Sequence, residues 1–312
     1  MSKVSKGLLL SHILLLGLLF TVVLMPNGRE TTRDCTAFLV AIALIEFLLL
    51  FAVFRPKAKQ QRRCGRDASA PFDIICIVWL LFIVWELCTS VYNVAHPVLV
   101  PCPENVFDTF RRQWDKMLLN VAYSLQLLSI GFVVGLAAAV AFGIVAGWVP
   151  RIRAIAYPIA NVMAPIPPIV FSPYLVALMP SFRSASLLVI VLGVFWPTFL
   201  NTVNRVASIE SNILDSARML APNTWIMMSK ILLPYILPSV VSGLKVSLTT
   251  SLLMLNFAEL MGATHGMGFY VQNSITYANY THAVAGIFVI GIVVTILSAM
   301  VGWLQKNLIK WR

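Results

Sequence analysis

This chain of 312 residues is 59% hydrophobic and only 11% charged, with a mean hydropathy of +0.87. Soluble domains carry about 25% charged residues, so the composition excludes a soluble globular protein and indicates an integral membrane protein. The net charge of +11 does not indicate nucleic-acid binding. The basic residues lie in short loops beside apolar segments, which is where membrane proteins carry them on the cytoplasmic side.

Long apolar runs, rather than short segments of alternating polarity, predict an all-α membrane protein with about eight transmembrane helices. Basic residues without compensating acids precede the first span, follow the second, fourth and sixth, and end the chain. Both termini are therefore predicted to be cytoplasmic. The first span has a longer apolar core than a signal peptide, so we expect it to remain in the protein. The predicted spans are roughly 7–25, 36–54, 72–92, 118–148, 154–178, 186–204, 234–260 and 283–304.

One basic stretch divides the chain into three segments. Residues 1–54 hold two leading spans, residues 55–71 form a linker predicted to be cytoplasmic, and residues 72–312 hold the remaining six spans. Within the last segment, residues 205–233 form a polar loop that is long for a mere connection. Loops of this kind commonly carry function, and the charge pattern places this one in the cytoplasm.

The motifs of common catalytic and nucleotide-binding sites are missing from the sequence. It has no GxxxxGK[ST] phosphate-binding loop, no HExxH, no GxSxG and no cysteine or histidine pair at metal-ligand spacing. We therefore expect a non-catalytic chain that binds no metal and no cofactor of its own. Cys35 and Cys102 both fall on the predicted outer side, where a disulfide is chemically permitted. The sequence leaves their pairing open.

Polar residues inside the spans allow two interpretations. Glu46, Glu86 and Glu259 lie within or at the ends of apolar spans, where ionisable groups cost about 2.5–3.5 kcal/mol on insertion scales. They are either coupling groups of a proton-driven carrier or hydrogen-bond partners between helices. Uncharged polar residues in the later spans suit either a wetted pathway or interhelical packing. These residues are Asn201, Asn204 and Asn256.

Prolines interrupt the fifth span near its middle. Pro165, Pro167 and Pro168 each remove a backbone donor, and irregular backbone at membrane depth is tolerated only where protein buries it or water reaches it. A broken helix beside a pathway is the favoured interpretation, and a packing kink is the alternative. After the seventh span, Gly266 and Gly268 allow a tight turn or a close approach. They indicate either an outer gate loop or an ordinary re-entrant turn.

The polar loop contains a recognisable pattern. Asp215-Ser216-Ala217 is followed by Ala221 and then by Ile231-Leu232-Leu233-Pro234. This order and spacing resemble the EAA motif of permease subunits from binding-protein-dependent ABC importers. Asp215 stands in the place of the motif's glutamate, and Ala221 stands in the place of its glycine. Because a glycine there would allow a left-handed turn, the loop is expected to turn differently from that of the family.

Two further segments resemble one branch of the same family, the nitrate, sulfonate and taurine permeases. The first is the proline-rich stretch at 165–168, and the second combines Ala258-Glu259 with Gly266-Met267-Gly268-Phe269. Order and spacing agree from roughly residue 95 to residue 312. Three motifs in register identify the chain, by resemblance, as a member of this branch.

The resemblance implies a fold, partners and a cargo. It implies a six-helix type I importer core, preceded here by two extra helices, in a bacterial cytoplasmic (inner) membrane. It also implies two cytoplasmic ABC ATPase subunits, an extracytoplasmic substrate-binding protein and a second permease copy, identical or closely related. ATP and Mg²⁺ would bind to the ATPase partner. The implied cargo is a small solute such as a sulfonate, a nitrate-like ion or another small organic anion, and vitamin precursors are an alternative.

The resemblance also implies roles for particular residues. A short helix in the loop would place apolar anchors in a groove of the ATPase; alternatively, these side chains lie on the membrane surface. The implied coupling residues are Asp215, Ser216, Ala217, Arg218, Ala221, Trp225, Ile226 and Met227. The implied translocation path contains Pro165, Pro167, Pro168, Asn201, Asn204, Asn256 and Glu259, with Gly266 and Gly268 at an outer gate. Two other classes remain open, an ion-coupled secondary carrier and a membrane scaffold or sensor without transport.

Overall fold

The structure, a computed structural model, describes residues 3–25, 35–54, 70–219 and 223–308. All regular secondary structure within these ranges is helical, which confirms the all-α prediction. The chain falls into two compact units. The first comprises Met1–Asp115 with Ser274–Ala285, and the second comprises Lys116–Asn273 with Gly286–Arg312.

The first unit contains the two leading helices and the helix that follows them. These are α1 (Lys3–Leu24), α2 (Thr36–Phe54) and α3 (Ala70–Glu86), which a π-helical turn extends over Leu87–Val91. Residues 55–69 of the predicted linker lie outside the described residues, and α3 already begins at Ala70. Cys35 and Cys102, whose pairing the sequence left open, are not joined by a disulfide in the structure.

Aromatic side chains join these helices. Phe38 of α2 and Trp79 of α3 are fully buried, in one cluster with Leu18 of α1. The Phe38 ring stacks on Phe107 with 5.1 Å between centroids. Stacked and tilted aromatic pairs of this kind stabilise a core beyond their buried area. The two leading helices therefore pack against α3 within this unit.

The second unit is built from most of the helices that follow. Apolar runs of the sequence form these helices, and turns that contain proline, glycine or polar residues separate them. A 3₁₀ turn over Pro168–Phe171 precedes α6, and a π-helical segment over Met227–Leu232 precedes α10. The helices after α3 are α4 (Pro103–Trp148), α5 (Pro150–Met163), α6 (Ser172–Leu178), α7 (Phe182–Ala207), α8 (Ser211–Met219), α9 (Thr224–Ile226), α10 (Leu233–Leu260), α11 (Met267–Thr276) and α12 (Tyr280–Leu308). Residues 103–115 of α4, the end of α11 and the start of α12 belong to the first unit.

A row of four glycines brings α4 and α7 into backbone contact. A Cβ atom at Gly131 would lie 2.9 Å from Ile190 Cγ2, and one at Gly147 would lie 2.6 Å from Val206 Cβ. Gly135 and Gly143 meet α7 in the same way. Residues four apart share one helix face, so these positions form the small-residue seam that lets membrane helices approach closely.

The predicted number of eight membrane spans stays a prediction. Within the described residues, five helices are long and apolar enough to cross a membrane, and a bent pair of shorter helices makes a possible sixth. α1 and α2 have 22 and 19 residues and contain the apolar stretches Leu10–Leu24 and Thr36–Phe47. The cytoplasmic placement of both termini stays a prediction. The five helices are Asp73–Val91, Pro103–Trp148, Phe182–Ala207, Thr224–Leu260 and Tyr280–Asn307.

Candidate functional site

The proline-rich segment breaks its span where the sequence predicts a break. α5 ends at Met163, and the segment from Pro168 to Leu178 leaves it at an angle of 84°. Two short-range bonds close the turn, from Ile166 N to the Met163 carbonyl at 3.2 Å and from Val170 N to the Pro167 carbonyl at 3.0 Å. Local bonds of this kind replace part of the helical ladder that the prolines remove.

The three prolines differ in their surroundings. Pro168 is buried and lies against Gly193 of α7, whereas Pro165 and Pro167 are exposed. Pro168 therefore fixes the break against a neighbouring helix. The two exposed prolines leave the outside of the turn free of a partner within this unit.

Glu259, at the end of α10, is buried and bonded. Its side chain is 1% exposed, and its carboxylate accepts hydrogen bonds from Ser124 Oγ at 2.6 Å and from the backbone N of Gly268 at 2.8 Å. Gly268 is the second residue of α11, so the carboxylate satisfies a donor at the start of that helix. Glu259 thus joins α4, α10 and the start of α11.

Two residues of α4 complete the start of α11. Asn120 Oδ1 accepts from the backbone N of Gly266, and Ser124 Oγ accepts from that of Met267, both at 2.8 Å. Asn120 and Ser124 are four residues apart and therefore share one face of α4. Together with the Glu259 carboxylate, they bind three successive backbone donors, at residues 266–268. The sequence interpretation did not single out Asn120 and Ser124, although their polar i, i+4 pair in an apolar span was a usable signal.

The glycines after α10 allow this arrangement. Gly266 has a φ of +129°, which favours glycine, and a Cβ atom there would overlap the Glu259 carboxyl group. A Cβ atom at Gly268 would come within 3.0 Å of Glu259 Cβ. Both glycines are buried, so they serve a close approach of the loop to α10. Their role as an outer gate stays a prediction.

The three asparagines predicted for the path occupy different environments. Asn201 and Asn204 are exposed on α7. Asn256 is half-buried on α10, and its Oδ1 atom has no hydrogen-bond partner. Of the predicted path residues, the structure brings Asn256 and Glu259 together around the start of α11, where Gly268 packs on the Asn256 backbone.

The polar loop folds into two short helices, α8 and α9. Asp215 and Ser216 are exposed on α8, and Ala217 is buried. The Ser216 hydroxyl donates to the Asn212 carbonyl at 2.7 Å, which is a local helical bond. Ala221 and the side chain of Arg218 lie outside the described part of the chain.

The apolar side chains of the loop divide into exposed and buried sets. Trp225 is 74% exposed and Ile226 is 43% exposed. Met227 corrects the sequence interpretation, because it is 3% exposed and packs inside the chain rather than offering itself to a partner. Met219, which the sequence interpretation did not include, is 88% exposed.

Comparison with known proteins gives the family and several relatives. Residues 131–312 match the model of the "Binding-protein-dependent transport system inner membrane component" family. The Bacillus subtilis putative aliphatic sulfonates transport permease protein SsuC is 26% identical, covering 81% of this chain and 92% of its own length. The nitrate import permease protein NrtB of Leptolyngbya laminosa is 27% identical, covering 78% and 90%. The taurine transport system permease protein TauC of Escherichia coli is 27% identical, covering 74% and 86%.

Among solved structures, the inward-facing MetNI methionine ABC transporter matches with a TM-score of 0.49 and 17% identity. The match covers 63% of this chain and 97% of the matched chain. The family model covers more than half of the chain, up to its last residue, and includes the polar loop and the Glu259 segment. The chain therefore belongs to the family of inner membrane components of binding-protein-dependent transport systems.

Proposed function

We propose that this permease subunit carries a small anionic solute, and that cytoplasmic ATPase subunits drive it through the loop at 205–233. The three relatives are permeases for aliphatic sulfonates, nitrate and taurine. Aliphatic sulfonates and taurine carry a sulfonate group, and nitrate is itself an oxyanion. Each presents several oxygens around a negative charge. That shared chemistry supports an oxyanion as the group this chain passes.

The observation that carries the proposed drive is the exposure of large apolar side chains on the loop. Met219, Trp225 and Ile226 project from α8 and α9, on the side predicted to be cytoplasmic. Exposed tryptophan and methionine are enriched at protein contacts and are costly to leave in water. An apolar groove of an ATPase subunit would cover them, in the helix-in-groove mode of recognition.

The base of the loop connects this surface to the spanning helices. Met227 and Leu232 belong to a buried cluster with Ile144 of α4, Val206 of α7 and Ile236 of α10. Close-packed clusters have low compressibility and transmit displacement. A push on the loop would therefore move the ends of three helices together, as rigid-body rocking of the permease requires.

The remaining partners follow from the family. The chain would receive its solute from an extracytoplasmic binding protein and would line the path with a second permease copy, in a bacterial inner membrane. ATP and Mg²⁺ would bind to the ATPase subunits, and this chain would contribute no catalytic group. The family description, a binding-protein-dependent transport component of the inner membrane, supports this arrangement.

Replacing the most exposed aromatic side chain of the loop tests the proposed drive. In Trp225→Ala, affinity for the ATPase subunit is expected to fall at least about tenfold, because a tryptophan anchor at the centre of a contact typically dominates binding. Uptake into proteoliposomes that contain the whole complex is expected to fall with it. Thermal stability in detergent should stay unchanged, since Trp225 is 74% exposed.

Trp303→Ala is the matched control. Trp303 is 67% exposed on α12, so the substitution removes an equally exposed indole outside the loop. It is expected to leave the affinity for the ATPase unchanged. Wild-type affinity and uptake in Trp225→Ala would overturn the proposed contact.

A further inference from the structure

α10 carries a lysine inside its apolar span. Lys245 is exposed, and it lies within the candidate span Thr224–Leu260. It forms no ion pair with any carboxylate in the described part of the chain. Unpaired basic groups within a membrane are costly, and they occur where they face water or a ligand. Lys245 therefore needs a functional account.

The packing of α10 against α7 gives the depth of Lys245. At the predicted outer end, Gly262 lies against the ring of Phe182. At the predicted cytoplasmic end, Arg205 Nε donates to Ser239 Oγ at 2.9 Å. Lys245 follows Ser239 by six residues, which corresponds to about 9 Å along the helix axis. Lys245 is therefore expected to lie inside the span rather than at its edge.

Lys245 belongs to a polar stripe on one side of α10. At 3.6 residues per turn, Ser242, Lys245, Thr249 and Asn256 fall within about 60° of arc. Ser242 and Lys245 are exposed, and Asn256 contributes the Oδ1 atom that has no hydrogen-bond partner. The nearby acid, Glu259, turns away to Ser124 and Gly268. The stripe thus has one positive charge and no negative charge, which suits a wetted path better than lipid.

A second cation, Arg205 of α7, contacts α10 near its predicted cytoplasmic end. Arg205 is exposed, and within the described residues its side chain donates one hydrogen bond, from Nε to Ser239 Oγ. The remaining donors of the guanidinium group form the fork that binds oxyanions at two points. Arg205 also lacks an ion pair within the described residues. Ser239, which Arg205 contacts, lies about 9 Å along the axis of α10 from Lys245 and about 120° around it. The two cations therefore lie at successive levels, and transport requires sites that release as well as bind.

We propose that Lys245 and Arg205 are two successive binding positions for the oxyanion group of the solute on its way to the cytoplasm. The ammonium group of Lys245 receives the anion inside the membrane, and the guanidinium group of Arg205 receives it at the exit. This inference rests on the proposed anionic class of solute. It adds the residues that recognise the charge within the membrane.

Transport by the whole complex tests the inference. Wild type and Lys245→Met are reconstituted in proteoliposomes with the ATPase subunits and the binding protein. Uptake is measured for isotopically labelled ethanesulfonate, nitrate and a neutral pyrimidine of the vitamin-precursor kind. Lys245→Met should lower uptake of the transported anion at least about tenfold, the size expected for loss of one charge-assisted contact. ATP hydrolysis stimulated by the binding protein should stay within about twofold of wild type.

Three variants separate the charge from the shape. Lys245→Arg should restore uptake, and Lys245→Met with Thr249→Lys should restore part of it, because the charge moves one turn along the same stripe. Val246→Met, the same new side chain at an exposed neighbouring position, should have no effect. Removal of a charge from a span favours membrane insertion, so Lys245→Met is expected to fold.

The results distinguish a failure of this inference from a failure of the proposed class of solute. Anion uptake at the wild-type rate in Lys245→Met, as expected of a lysine that merely faces lipid, would overturn this inference alone. Uptake of the neutral pyrimidine and of neither anion by the wild type would overturn the proposed class of solute, and this inference with it.

Discussion

At the scale of single residues, Glu259 has the clearest set of contacts. Sequence alone left it between a coupling group in a path and a hydrogen-bond partner between helices. In the structure its two oxygens accept from Ser124 and from Gly268, and its side chain is 1% exposed. Ser124 lies 135 residues away along the chain, and a single sequence carries no signal for a pairing at that distance. The hydrogen bonds support a structural role at the start of α11.

Glu259→Ala is expected to destabilise the protein, because it leaves the Gly268 N–H buried without an acceptor. An orphaned buried donor costs about 1–3 kcal/mol, and the lost side-chain volume adds to this. Glu259→Gln keeps the shape and one good acceptor, so it should lose less than half as much stability. The measurement is the thermal unfolding midpoint of the purified protein in detergent.

The same two variants test the alternative role in the path. A coupling group would give full loss of uptake in Glu259→Gln with an unchanged unfolding midpoint. That result would contradict the structural role.

At the scale of elements, the seam between α4 and α7 explains why these two spans pair. Gly131, Gly135, Gly143 and Gly147 recur at intervals of four or eight residues, and a Cβ atom at each would lie 3.0 Å or less from an atom of α7. This pattern was present in the sequence and predicts a close helix contact, although not its partner. The loop shows the opposite case. Trp225 and Met227 are two positions apart in one apolar run, and only the packing beneath them decides which is buried.

Replacing a seam glycine with alanine is expected to destabilise the fold. At Gly147 the new Cβ atom would lie 2.6 Å from Val206 Cβ, and overpacking of this kind typically costs about 1–3 kcal/mol. Gly291→Ala is the matched control, because no atom lies within 4 Å of a Cβ atom at that helical position. There the change should be neutral or stabilising by up to about 1 kcal/mol. Equal unfolding midpoints for both variants would show that the seam is not tight.

At the scale of the whole molecule, composition and hydropathy were sufficient for the fold class. Apolar runs predicted the long spans, and the prolines predicted the broken one, because both signals are local. Whether α1 and α2 cross the membrane was harder to predict from the sequence. Their apolar runs resemble spans in sequence and form helices of 22 and 19 residues, and their crossing of the membrane stays a prediction. The three motifs in register predicted the family, and the family model confirms it.

Membership of this family predicts dependence on ATP. In proteoliposomes whose ATPase subunits are inactivated, uptake should fall to background even under an imposed proton or sodium gradient. The same vesicles with active ATPase and internal ATP should take up solute. Uptake that persists on an ion gradient alone would instead support a secondary carrier.

The glycine seam has a practical consequence for studies of motion. At four levels along the axis, α4 and α7 meet with 3.0 Å or less between an added Cβ atom and its nearest neighbour, so the two helices are expected to move as one body while other pairs change their separation. Spectroscopic labels placed on either side of this seam would therefore hold a constant distance through the transport cycle. The distance between labels on α4 and α7 can therefore serve as an internal reference for distances between other helices.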